Sequence, residues 1–125
     1  MLSTKRNKIK EFLEHARKQL FKFKRTRRFI YLQQTVEKIW GAYTLLMELL
    51  SGQELYSHIS VDRTAKSLGR KIKEIEHLRE DCEMLHVFFY EGKASSDIMV
   101  RISDRAIKTI ERLSEYSIRE EWKGN

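Results

Sequence analysis

The chain has 125 residues, 41% of them hydrophobic and 34% charged, with no proline, five glycines and one cysteine. That length favours one domain with one core, and that composition excludes a disordered chain and a disulfide-stapled scaffold. The net charge of +7 is unevenly placed: residues 1–28 carry eleven Lys/Arg against Glu11 and Glu14, so this segment is +9 and the remainder −2. A polyanion, nucleic acid before membrane, is the partner such asymmetry suggests; a solvated lysine-rich helix is the alternative.

The start, MLSTKRNKIK, is basic but is followed by no apolar stretch of the signal-peptide kind. The most apolar run, Ile39–Leu50, is too short to span a bilayer and contains Glu48. A cytoplasmic, reducing setting and no membrane association are therefore expected, and a lone cysteine forbids an internal disulfide.

A first helix is expected over residues 3–24, started by Ser3 or Thr4. Ile9, Phe12, Leu13, Ala16, Leu20 and Phe23 recur at helical spacing as its inner face, and the basic residues lie outside. Phe21 stands among basic neighbours, as an aromatic that stacks on single-stranded bases would, but a place in the core is its first assignment. The KRTRR segment (24–28) should break the helix by charge repulsion, with Thr26 capping the next. Lys22, Lys24, Arg25, Arg27 and Arg28 form the expected phosphate-contact cluster.

The second helix, expected over 28–50, carries Phe29, Leu32, Val36, Ile39, Tyr43, Leu46 and Leu50. Trp40, Met47 and Leu49 widen that stripe into the signature of a central helix. Gly41 in its middle implies close approach by a neighbour, and Trp40 reads as core before ligand platform. Residues 51–60 read as a loop, opened by Gly52 in the helix-ending position and holding Tyr56 and His58.

From Ser60, a good N-cap, one helix or two should cover 61–90, with a bend or break at Gly69 and an end at Gly92. A last helix is expected over 96–117, capped by Ser95 or Ser96, with Met99, Ile102, Ala106, Ile110 and Leu113 inside. The charged tail beyond should fray, although Trp122 could dock on a partner. No strand pattern occurs.

The stretch LREDCEMLHVFFYEG (78–92) is the chemical focus. Val87, Phe88, Phe89 and Tyr90 point around the whole helix, so part of their cover is expected from a second copy. Arg79 and His86, seven residues apart, fall on one face about 10 Å from each other, with Cys82 and Glu83 between. Such a pair could hold an anion and move a proton. The bland alternative pairs Arg79 with Glu83 and leaves His86 as a half-buried histidine. Cys82 and His86 at i,i+4 are two ligands, too few for a metal site, so neither metal nor cofactor is expected.

Three pieces in order, EKIWGAYTLLMELL (37–50), the loop His58 and EMLHVFFYEG (83–92), resemble the archaeal PaREP-type group of HEPN-like proteins, with its EK-x-WGA helix, loop histidine and LH-x-x-FYE helix end. The likeness covers roughly residues 29–113. It implies an up-and-down bundle of four to five antiparallel helices that forms a homodimer. It also implies RNA binding or metal-independent endoribonuclease activity, as in toxin–antitoxin systems, or partnership with a minimal nucleotidyltransferase; a nucleotide-binding, non-enzymatic module is the alternative. Active members carry Arg, four to six residues, then His, a pattern that Arg79 and His86 match at its longest spacing. By that likeness these two are catalytic, His58, Glu83 and Tyr90 are site neighbours, and Val87, Phe88 and Phe89 lie at the dimer interface.

Overall fold

In the computed structural model, which describes residues 2–92 and 94–123 and the side chains of 4–92 and 94–115, five helices follow one another: α1 (Leu2–Thr26), α2 (Phe29–Ser51), α3 (His58–Gly69), α4 (Lys73–Glu91) and α5 (Ser96–Lys123). The expected all-α bundle is present, and the described residues contain no strand.

The periodic stripes form the core. Ile9, Leu13, Ala16, Leu20 and Phe23 of α1 are buried, as are Leu32, Val36, Ile39, Tyr43 and Leu46 of α2 and Met99, Ile102, Ala106, Ile110 and Leu113 of α5. Helix α2 touches all four others and is the central one. Gly41 is where α1 crosses it: a Cβ there would lie 2.9 Å from the Phe12 ring.

Cross-helix contacts fix the directions. Arg17 pairs with Glu111, Lys24 with Asp104 and Arg27 with Asp97, so α1 and α5 run oppositely. Glu74 pairs with Arg112 and Asp81 with Arg105, which sets α4 against α5. Phe29 stacks on Phe89 while Trp40 reaches Cys82, which sets α2 against α4. The four long helices thus alternate. The short α3 does not: its start meets the middle of α2, and it descends beside α4 through Asp62 and Arg79. A simple up-and-down bundle is corrected to four alternating helices with a half-length helix inserted between the second and third.

The caps explain most boundary differences. Ser57, three residues before the expected Ser60, is the α3 N-cap, and Ser60 completes a reciprocal capping box with it. His58 therefore opens a helix instead of hanging in a loop. The break between α3 and α4 falls at residues 70–72, after Gly69, whose packing against Glu76 leaves little room for a side chain. Gly52 and Gly92 adopt left-handed φ of 73° and 65° as helix terminators, and Ser95 accepts a hydrogen bond from the Ile98 amide at the start of α5.

Thr26 does not cap α2. It ends α1, donating to the Lys22 carbonyl and accepting from the Arg28 amide, and Arg27 then takes the left-handed φ of 60° usually left to glycine. Helix α5 continues to Lys123, past the expected end near Ser117; the Trp122 side chain lies outside the described residues. Phe21 is not in the core: it is 59% exposed.

Candidate functional site

Every ring–ring contact among the described residues belongs to one connected set that runs from Phe29 to Tyr43. Phe29 stacks on Phe89, Phe89 meets Tyr90, and Tyr90 lies 4.7 Å from His86. His86 is 5.0 Å from His58 and 5.7 Å from Trp40. His58 stacks on Trp40 at 4.6 Å and 27°, and Trp40 meets Tyr43 edge-on. The two histidines, 28 positions apart in the chain, thus belong to one aromatic cluster formed by α2, the first turn of α3 and α4.

Each group is held for an identifiable reason. Arg79, Glu83, His86 and Tyr90 follow at intervals of four, three and four, which keeps them on one side of α4. The Trp40 indole N–H donates to the Cys82 carbonyl at 3.0 Å, fixing the plate on which His58 lies. His58 itself is aimed by the segment 52–57. Buried Glu48 accepts the Leu55 amide at 2.9 Å and lies 3.6 Å from Lys5, which also bonds Glu54. Those carboxylates hold the Lys5 ammonium above its usual range, Glu54 first.

His58 Nε2 lies 2.7 Å from Glu83 Oε1. An ionised carboxylate only accepts, so Nε2 carries a proton, and the ring when neutral keeps its lone pair on Nδ1. This is the arrangement of a base whose tautomer is fixed by a carboxylate. His58 is exposed and His86 half-buried, so both remain reachable from solvent.

Arg79 does not pair with Glu83. Its guanidinium bonds Glu76, one turn back, and lies 3.4 Å from Asp62 on α3. The hydrogen bond to Glu76 is the main reason its pKa is raised, and the same bond lowers that of Glu76. Arg79 is therefore neutralised by two carboxylates and ties α3 to α4. It shares an open cavity of about 440 Å³ with His58, Glu83, Asp62, Arg63 and Lys66; His86 is not among the lining residues. Lys66 is paired with Asp62, whereas Arg63 makes no ion pair among the described residues. Nothing in the local sequence singles out Arg63; only the fold brings it beside His58.

Of the other expected residues, Val87 is on the surface, while Phe88 and Phe89 are half-buried against the chain's own core. Lys24 and Arg27 are spent on Asp104 and Asp97, and Lys22, Arg25 and Arg28 make no ion pair among the described residues. Cys82 is fully buried, and burial pushes its thiol pKa well up. Among the described residues no group of three or more His, Cys, Asp or Glu is placed to hold a metal ion, and no helix is long and apolar enough to cross a membrane. No protein-family model, curated protein or solved structure matches the chain.

Proposed function

We propose that this protein is a HEPN-like homodimer that binds RNA and cleaves it without a metal, using His58 and His86 as its proton-transfer pair. The observation that carries this reading is that the two imidazole ring centres lie 5.0 Å apart, with one ring held on Glu83. In the reaction, one imidazole takes the proton of a ribose 2′-hydroxyl as its oxygen bonds to the adjacent phosphorus. The bond from phosphorus to the 5′-oxygen breaks, and the other imidazole, protonated, gives that oxygen its proton. The products are a 2′,3′-cyclic phosphate and a 5′-hydroxyl. His58, its lone pair on Nδ1, is the base, and His86 is the acid.

In this assignment Arg79 is a positioning residue that keeps α3, and so His58, against α4. Arg63, the cation of that cavity with no carboxylate partner, meets the phosphate. The resemblance gives Arg79 that role, but there a phosphate would compete with the charges of Glu76 and Asp62, which already contact its guanidinium.

The test is incubation of the purified protein with RNA in EDTA. Cleavage should persist, leave cyclic phosphate ends, and fall by about a hundred-fold or more in both His58→Ala and His86→Ala, the scale of a lost acid or base. An unchanged rate in either variant, or no cleavage of any RNA, would overturn the nuclease reading. A second reading, a non-enzymatic module docked on a partner such as a nucleotidyltransferase, is favoured by exposed Met84, Val87 and Tyr90 on α4 and by exposed Phe29, which stacks on Phe89 of the same helix. Stoichiometric co-purification with such a protein, together with absent cleavage, would select it.

A further inference from the structure

The outer face of α1 has an organisation that its role in the bundle does not require. Lys18, Phe21, Lys22 and Arg25 follow at i, i+3, i+4 and i+7, the spacing of a single helical stripe, opposite the buried stripe of Leu13, Ala16, Leu20 and Phe23. Phe21 is the one apolar member, and it is 59% exposed. The Arg25 guanidinium lies 5.6 Å from its ring centre, and Lys22 extends over Tyr31 of α2, also at 5.6 Å. These side chains, with Arg17 and Thr26, line an open groove of about 700 Å³ that contains no acidic residue. Arg17 is paired with Glu111, but Lys18, Lys22 and Arg25 make no ion pair among the described residues.

From this juxtaposition we infer that the groove on α1 is a binding site for one single-stranded stretch of RNA, with a base stacked on Phe21 and the flanking phosphates on Lys18, Lys22 and Arg25. An aromatic face between uncompensated cations is what an unpaired nucleotide requires, since every base has a π-face and every linkage a charge. The stripe rises about 10 Å, enough for a base and its neighbouring phosphates. An anionic bilayer is the other polyanion to consider. A helix lying on lipid needs a broad apolar side, and that of α1 is already buried in the bundle, leaving one phenyl ring outside. The site rests on the proposal that RNA is the ligand, but not on cleavage.

The test uses a labelled 2′-O-methyl oligouridylate, which lacks the attacking hydroxyl, and reads its anisotropy across a salt series. Phe21→Ala should weaken binding about five-fold or more, while Phe21→Tyr retains it. Replacing Lys18, Lys22 and Arg25 by Gln should flatten the slope of log affinity against log salt by about 2, at about 0.7 per phosphate contact. Equal affinity of Phe21→Ala and wild type, or binding to phosphatidylserine vesicles but not to the oligonucleotide, would overturn the site. The two proposals fail separately. Uridylate bound at Phe21 by a protein that cleaves no RNA removes the nuclease and leaves this groove. Cleavage by a protein whose affinity is indifferent to Phe21→Ala does the reverse.

Discussion

Tyr43 shows how far one phenol departs from its solution behaviour when a central helix buries it. It is 1% exposed beneath Trp40, and burial, followed by nearby Cys82 and Asp62, drives its pKa far above the ordinary tyrosine range. The folded state keeps the phenol neutral, whereas the unfolded chain ionises it near pH 10. Its contribution is therefore whole below that pH and is lost as pH rises further. Chemical denaturation between about pH 9 and 11 should show stability falling with pH more steeply in wild type than in Tyr43→Phe; parallel curves would refute the assignment. At this scale the sequence was only partly legible. The His58 and His86 side chains are visible as types, but their meeting is a tertiary contact across 28 positions that no periodicity encodes. The exposure of Phe21 was hidden by its neighbour Leu20: two consecutive apolar residues in a helix lie about 100° apart, and only the fold shows whether both are covered, as Leu46 and Met47 are, or one, as here.

At the scale of elements, the long helices were legible because each carries one continuous apolar stripe, and their ends because Gly52 and Gly92 supply the left-handed turn. The entry to α3 was not, because Ser57 and Ser60 are equally good caps and only the reciprocal box, formed by both, decides between them. Segment 52–57 owes its shape to Glu48, a buried carboxylate that no stripe would place in a core. Glu48→Ala leaves the Leu55 amide buried without its acceptor and frees Lys5 from one of two partners. A loss of about 1–3 kcal/mol is expected by urea denaturation. If RNA cleavage occurs, it should fall along with stability, because the segment aims His58. Glu48→Gln, which can still accept that amide, should lose less; equal losses in the two variants would show that charge, not the hydrogen bond, holds the segment.

The whole molecule balances its charges unevenly. Helix α5 supplies carboxylates that neutralise Arg17 and Lys24 on one side of α1 and Arg27 just past its end, and leaves the stripe through Lys18, Lys22 and Arg25 unanswered. On α4, Met84, Val87 and Tyr90 remain exposed within seven consecutive residues. If two copies join there, Val87→Glu should halve the mass measured by light scattering and leave the helical circular dichroism unchanged; a monomeric wild type would sink the dimer. Trp40 also makes the protein its own spectroscopic probe. Its indole lies on the helix that touches every other and in van der Waals contact with the His58 ring, and a protonated imidazole quenches indole emission. With Trp122 replaced by Phe, the remaining fluorescence would report both global unfolding and the protonation of the imidazoles beside it, His58 and His86, from the same sample and without a label.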